Sequence, residues 1–169
     1  MDTTLKTLAE WENELDRRKT LLRDSNCSNI DEYNAMFTET KLHRWAFACD
    51  EIAMMLDKTG QSKEQKEKID KASAALSLLA CQGRSFGLHL ILATQRPDAN
   101  VMPAQVRSNI DYRVCGRADS ILSSIIIDST AAAELIPKNA KGLFMLNDSS
   151  GRDASATVFK SYILPDGAN

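Results

Sequence analysis

Residues 83–97 read GRSFGLHLILATQRP, and they contain a short apolar run, LHLILA (88–93), that is followed by polar residues and a proline. A second run, WAFAC (45–49), ends abruptly at Asp50 and Glu51. Short apolar runs bounded in this way are typical of buried strands in a parallel sheet. The two runs therefore predict two core strands, each with polar residues directly after it.

Helical patterns surround these strands. Leucines at seven-residue spacing predict an amphipathic helix over 3–24, either packed on its own domain, which we favour, or paired in a coiled-coil dimer. Ser62 and Gln65 have the spacing of a capping box, and Gly83 supplies a stop for the helix that begins there.

The rest of the chain continues the alternation of helices and strands. Further helices are expected near 31–37, after Pro103, over 119–127 and over 130–136, and further strands over 111–115, 143–146 and 157–164. Strands that alternate with helices predict an α/β layered fold with a mostly parallel sheet. We expect a helix at the N-terminus of the chain and a β-hairpin, formed by the last two strands, at its C-terminus.

Composition excludes several classes of protein. The 169 residues are 43% hydrophobic and 26% charged, which is ordinary for a globular protein. A net charge of −2 excludes a globally basic nucleic-acid binder. The four cysteines form no C-x-x-C pattern, so neither a structural zinc site nor a disulfide scaffold is indicated. Without a signal-peptide pattern or a long apolar run, we expect a cytoplasmic domain.

The residues after the two strands carry the candidate chemistry. Ligands of open parallel sheets bind at the carboxyl ends of the strands, where Asp50, Glu51 and Gln95 are expected. Asp50 is suited to hold Mg²⁺ through water, and Glu51 to polarise an attacking water. Gln95 would then contact the γ-phosphate or that water. Taken alone, an Asp-Glu pair is more often the start of a helix, where the helix dipole favours negative charge.

Several blocks of the sequence, in order, resemble the motor domain of the FtsK/SpoIIIE family of hexameric DNA translocases. The blocks are NIDEYN (29–34), WAFACDEIAMML (45–56), GRSFGLHLILATQRP (83–97), SNIDYRV with DSILSSIIID (108–128), and AAAELIPKNAKGLFML (131–146). The last block lacks the glycines that are common in the family. Together the blocks cover about two-thirds of the chain, and the resemblance implies a RecA-like P-loop NTPase core.

The resemblance also implies roles for individual residues. Asp50 and Glu51 match the Walker B pair, which binds Mg²⁺ and activates water, and Gln95 matches the sensor residue. Asp50, Thr94 and Gln95 are therefore expected to contact ATP. Arg84 matches an arginine finger that reaches the nucleotide of a neighbouring subunit. The alternative for Arg84 is a cation that stabilises a helix C-terminus.

One motif of the family is missing. The sequence contains no G-x-x-x-x-G-K-S/T, and Gly60-Gln61-Ser62-Lys63 is the nearest string. In the family this P-loop lies N-terminal to the matched blocks. Residues 1–40 are therefore expected to be a helical segment that leads into the motor, and 41–169 the C-terminal part of the ATPase domain. Such a fragment alone should bind ATP weakly and hydrolyse none.

The resemblance further implies a hexameric ring that threads double-stranded DNA, in a parent protein anchored at the cell membrane. Arg96, Arg107 and Arg117 are the candidate DNA contacts, with solvated surface loops as the alternative. The Lys-rich segment 57–78 favours a conjugative element within the family. A type VII protein secretion motor and a non-catalytic, degenerate motor domain that binds a partner remain as alternative functions.

Overall fold

The computed structural model describes residues 1–95, 103–148 and 156–162. The chain divides into two compact units, residues 1–109 and residues 110–169. The candidate residues Asp50, Glu51, Arg84, Thr94 and Gln95 all belong to the first unit. Within the described ranges, no helix is long and apolar enough to cross a membrane.

The first unit places helices around a pair of short strands. Its helices are α1 (Asp2–Asp24), α2 (Ile30–Met36), α3 (Ile52–Leu56), α4 (Lys63–Gln82) and α5 (Ala104–Ser108), its strands β1 (Trp45–Cys49) and β2 (Leu88–Leu92), and its 3₁₀ helices Thr38–Thr40 and Arg84–Phe86. The bounds of α1, β1, α4 and β2 agree with the sequence predictions to within about one residue.

β1 and β2 pair in parallel, with Trp45 opposite Leu88 and Cys49 opposite Leu92. The parallel core predicted from the two apolar runs is therefore present, with α3 and α4 in the connection between the strands. The prediction that β1 is buried is wrong, because Ala46 and Ala48 are exposed and Trp45 is 38% exposed. The two alanines alternate with Trp45, Phe47 and Cys49 along the strand, so they lie on the other face of the sheet, which is exposed at both positions.

α1 packs on its own unit, which confirms the favoured alternative of the two for this helix. Its buried residues follow one another at spacings of three and four, as a single helical face requires. Trp11 on this face contacts the rings of Trp45 and Phe47 edge-on, at centroid distances of 5.7 and 5.9 Å. α1 therefore covers one face of the strand pair. The full set of buried residues is Leu8, Trp11, Leu15, Arg18 and Leu22.

The ends of α4 are set by two different effects. At the start, the Ser62 hydroxyl accepts a hydrogen bond from the backbone N–H of Gln65 at 3.2 Å, as the capping pattern predicts. At the end, Gly83 has an ordinary right-handed conformation. A Cβ there would lie 2.7 Å from the carbonyl oxygens of both Leu79 and Leu88. Close approach of the backbone, and not a left-handed turn, therefore requires glycine at this stop.

Residues 110–148 and 156–162 of the second unit form an antiparallel sheet with two helices. Its elements are β3 (Tyr112–Cys115), α6 (Ser120–Ile127), α7 (Ala131–Leu135), β4 (Leu143–Asp148) and β5 (Thr157–Lys160), in the strand order β3-β4-β5. The β4–β5 pairing confirms the predicted hairpin. β3 pairs antiparallel with β4, so the parallel part of the described structure is the β1–β2 pair. The core contains Cys115, Ile127, Ala132, Ile136 and Met145.

Candidate functional site

The parallel register brings the polar residues after β1 and β2 to one edge of the sheet. The backbone N–H of Ala93 donates to the carbonyl of Cys49 at 2.8 Å, and that of Ile52 donates to the carbonyl of Ala93 at 2.9 Å. These bonds continue the pairing beyond the last strand residues. The Asp50-Glu51 pair and the Thr94-Gln95 pair therefore lie side by side, as the sequence predicts.

Glu51 is held by the neighbouring strand. Its carboxylate accepts a hydrogen bond from the Thr94 hydroxyl through Oε1 and another from the backbone N–H of Gln95 at 2.9 Å through Oε2. Glu51 is also the residue before α3, but its side chain makes no capping bond to that helix. The helix-start alternative therefore explains where the acid lies, whereas it leaves the two cross-strand bonds unexplained.

A carboxylate held in this way has a fixed orientation at the edge of the sheet. Carboxylates are among the side chains that serve as general bases. The half-buried position of Glu51 beside exposed residues allows a water molecule to approach it. The arrangement thus suits a general base whose orientation is fixed before the reaction begins.

Asp50 has the properties of a ligand for Mg²⁺. Its carboxylate is exposed at the end of β1, and hard cations prefer oxygen ligands of this kind. Within the described residues, no group of three or more His, Cys, Asp and Glu side chains is placed to hold a metal ion. An ion at Asp50 would need water and phosphate oxygens for its other positions, which is how Mg²⁺ is usually bound. Asp50 and the edge of the sheet therefore fit a magnesium–nucleotide complex.

Arg84 lies at the other end of the sheet. It begins a 3₁₀ helix directly after α4 and precedes β2, whereas Gln95 follows β2. The five residues of β2 alone span about 13 Å at ~3.3 Å per residue. The structure therefore does not bring Arg84 to Glu51 within one chain. Its place after α4 also agrees with the alternative role of a cation at a helix C-terminus.

The amino end of the sheet carries positive charge. Arg44 precedes β1, Arg84 precedes β2, and both are exposed. Burial, together with the charges of Arg44 and Arg84, lowers the pKa of His89 on β2. Arg44 also forms an ion pair with Asp31 at the start of α2. The two ends of the β1–β2 pair thus differ in sign.

Sequence reasoning missed a buried arginine behind Arg84. Arg18 on α1 is 1% exposed, and its guanidinium donates to Glu14 Oε1 at 2.6 Å and to the backbone carbonyl of Phe86 at 2.7 Å. The same group lies 5.3 Å from the centre of the Trp45 ring. A charged residue at a position of the apolar face of α1, with Glu14 four residues earlier, was the available signal.

Two of the three candidate DNA contacts, Arg107 and Arg117, lie within the described residues, and Arg96 lies outside them. Arg107 on α5 is half-buried, and its Nε has no hydrogen-bond partner among the described residues. Arg117 is exposed and donates to the carbonyl of Ile136. DNA binding by these residues stays a prediction.

Several DNA translocases are similar to this chain in sequence. No family profile matches the chain. The DNA translocase FtsK of Caldanaerobacter subterraneus subsp. tengcongensis is 30% identical over 126 residues, which are 74% of this chain and 16% of that protein. The DNA translocase FtsK of Helicobacter pylori strain 26695 is 29% identical over 146 residues, 79% of this chain and 16% of that protein. The chain thus spans about one-sixth of these relatives.

Solved structures agree with this relationship. The pCW3 conjugation coupling protein TcpA, in a monomer form with ATPγS, superposes with a TM-score of 0.86 at 34% identity, over 94% of this chain and 44% of that chain. The cytoplasmic domain of the type VII secretion ATPase EccC from Thermomonospora curvata gives a TM-score of 0.72 at 20% identity, over 99% of this chain and 18% of that chain. The second likeness concerns the fold alone.

Proposed function

Because this chain belongs to the FtsK/SpoIIIE type of motor domain, we propose that it is the C-terminal part of an ATP-driven DNA translocase motor. The observation that carries this proposal is the fixed position of the Glu51 carboxylate. It accepts hydrogen bonds from the Thr94 hydroxyl and the backbone N–H of Gln95, at the carboxyl ends of two parallel strands. Residues 41–169 belong to the ATPase domain, and residues 1–40 lead into it. The P-loop is supplied by a segment N-terminal to these residues.

The residues at the carboxyl edge divide the work of hydrolysis. ATP supplies the bond that is cleaved, and Mg²⁺ neutralises charge on its phosphates. Asp50 binds the ion through water, and Glu51 takes a proton from the attacking water. Gln95 contacts the γ-phosphate or that water with its exposed side chain, and Thr94 contacts the nucleotide beside it.

Arg84 serves a different nucleotide from the one at Glu51 of its own chain. Its place at the opposite end of the sheet supports a role as a finger at the site of a neighbouring subunit. Such an arrangement needs an oligomer, and we propose a hexameric ring around double-stranded DNA. Arg96, Arg107 and Arg117 are its proposed DNA contacts. The domain is cytoplasmic, and its parent protein is anchored at the cell membrane.

The relatives favour DNA as the cargo. FtsK translocases at about 30% identity and a conjugation coupling protein at 34% are nearer in sequence than the secretion ATPase EccC at 20%. The coupling protein supports transfer of a conjugative element. A type VII secretion motor is the second candidate, and the likeness to EccC, over 99% of the chain, shows only that such a motor has the same fold.

DNA-stimulated ATP hydrolysis tests this function. The chain is expressed with its native upstream segment, and turnover is measured with and without double-stranded DNA. Turnover that DNA stimulates, and that Glu51→Gln and Arg84→Ala each abolish, supports the proposal. The exposed residues Glu10 and Arg23 provide the controls Glu10→Gln and Arg23→Ala. An ATP hydrolysis rate that DNA does not change indicates the secretion motor. A folded protein that hydrolyses no ATP indicates a binding module.

A further inference from the structure

Arg84 projects from a turn whose backbone is fixed at both ends. This segment, residues 83–87, is named the Arg84 turn. Gly83 at its start has no room for a side chain, as described above. Gly87 at its end has a φ of +73°, and a Cβ there would lie 2.4 Å from Ile30 Cδ1 and 3.3 Å from Arg18 Nη1. The turn is therefore packed tightly against α1 and α2.

Hydrogen bonds hold the carbonyl groups of four of the five residues in this turn. The carbonyl of Gly83 accepts from the N–H groups of Phe86 and Leu88, and the carbonyl of Arg84 accepts from Gly87. The carbonyl of Gly87 accepts from the N–H of Trp45 at 2.8 Å, which ties the turn to β1. The carbonyl of Phe86 takes its bond from the Arg18 guanidinium, which comes from a helix 68 residues away in sequence.

Packing alone does not call for an arginine at position 18. An apolar residue of similar volume would fill the same place on the face of α1, and replacement of buried ion pairs by apolar residues is often neutral or stabilising. The arginine instead contacts three polar or aromatic partners, which are Glu14, Trp45 and the carbonyl of Phe86. A planar fork that donates in several directions is the property that lysine and apolar residues lack.

We propose that Arg18 is a positioning residue for Arg84. By holding the carbonyl of Phe86, Arg18 fixes the Arg84 turn so that Arg84 is presented at the surface in one orientation. This inference rests on the proposed role of Arg84 as a finger for a neighbouring subunit. Fixing matters there, because a displacement of about 1 Å at a group that stabilises a transition state can cost ~10²-fold in rate.

Amide hydrogen exchange on the 169-residue chain tests the structural half of this proposal. Arg18→Met keeps the volume and removes the fork. Arg17→Met is the matched control, because Arg17 also binds Glu14, is exposed, and belongs to the same helix. We expect Arg18→Met to speed exchange in the Arg84 turn about tenfold or more, the factor for one lost charge-assisted hydrogen bond. Unchanged exchange there, in a folded chain, would overturn the proposal.

Subunit mixing in the protein with its upstream segment tests the functional half. Glu51→Gln subunits donate Arg84 to Arg84→Ala subunits, whose own Glu51 is intact. The donor subunits carry Arg17→Met or Arg18→Met as a second substitution. The proposal predicts that the Arg17→Met donor restores ATP hydrolysis. It also predicts that the Arg18→Met donor gives a kcat that is tenfold or more lower, with an unchanged KM. Equal rescue by both donors contradicts it.

The same mixture separates two kinds of failure. If donors with intact Arg18 give no rescue, the finger role of Arg84 fails, and the positioning role fails with it. If they rescue, the finger role stands, and the comparison of donors decides the role of Arg18 alone. Arg18→Lys keeps the charge and removes the fork, and it should behave as Arg18→Met does.

Discussion

The two ends of the β1–β2 pair carry opposite charges and are held in different ways. At the carboxyl end, Glu51 accepts hydrogen bonds from the Thr94 hydroxyl and from the backbone N–H of Gln95, in the segment that follows β2. At the amino end, the turn that carries Arg84 is bound by Arg18 from α1. Glu51 is thus held by residues that follow the adjacent strand, whereas the turn that carries Arg84 is held by a helix that is distant in sequence.

In the proposed function, this difference assigns the two ends of one chain to two nucleotide sites. A sheet strand separates the two ends, so the acid and the arginine cannot meet on the same nucleotide in one chain. In the proposed ring, each site combines the carboxyl end of one subunit with the amino end of the next. A substitution at one end of the strand pair should leave the structure of the other end intact.

Loss of Arg84 is expected to have the largest effect. Arg84→Ala in the protein with its upstream segment should lower kcat for ATP by about 10³–10⁵-fold, the range for arginine fingers. Steady-state ATP hydrolysis in the presence of DNA measures it, with Arg23→Ala as the control. A loss below tenfold would indicate that Arg84 only stabilises the end of α4.

The carboxyl end has its own test in Thr94. Thr94→Val removes one of the two hydrogen bonds that orient Glu51, and we expect kcat to fall about tenfold, since such a bond to a charged group is worth about 1.5–3 kcal/mol. Thr94→Ser keeps the hydroxyl and should retain most of the activity. A Thr94→Val variant with the activity of the unchanged protein would contradict the role given to the hydroxyl.

The glycine before Arg84 tests the packing at the amino end. In Gly83→Ala the new Cβ would press on two backbone carbonyl oxygens, and we expect a loss of about 1–3 kcal/mol in the free energy of unfolding. Gly60→Ala is the control, because that glycine has a φ of +69° but open space around it. Urea unfolding of the chain compares them. A smaller loss for Gly83→Ala than for Gly60→Ala would contradict the close approach described here.

The smallest expected effect is a dependence of stability on pH. Hydrogen bonds from Arg17 and then Arg18 lower the pKa of Glu14 to about 2, from a usual value of 4.5. The folded chain therefore binds this proton less readily than the unfolded chain, and stability is lost as pH falls from about 4.5 towards 2. The free energy of unfolding, plotted against pH over this range, should have a shallower slope for Glu14→Gln than for the control Glu10→Gln. Equal slopes for the two variants would contradict the ion pair.

Local signals explain what the sequence could predict. The two apolar runs end at polar residues, and this boundary placed Asp50, Glu51, Thr94 and Gln95 at one edge of a sheet, where the structure has them. Capping also followed from local spacing, as at Ser62, whose hydroxyl accepts from the N–H of Gln65 at 3.2 Å. These features depend on residues that are near one another in the chain.

Contacts between distant segments could not be predicted in this way. Whether β3 runs parallel or antiparallel to its neighbour is decided by β4, about 30 residues later. The exposure of Ala46 and Ala48 depends on what covers the sheet, which the strand itself does not show. The charge pattern along α1 marks Arg18 as unusual on an apolar face. It does not show that the carbonyl of Phe86, 68 residues away, is the partner of this arginine.

Mixing two inactive variants tests the central claim most directly. Glu51→Gln removes the base and Arg84→Ala removes the finger, so each should be inactive alone in DNA-stimulated ATP hydrolysis. If the two ends serve different subunits, a mixture contains interfaces with an intact Glu51 and an intact Arg84, and the account predicts that activity returns. A mixture that stays inactive, although the variants assemble together, would contradict the division of each site between two chains.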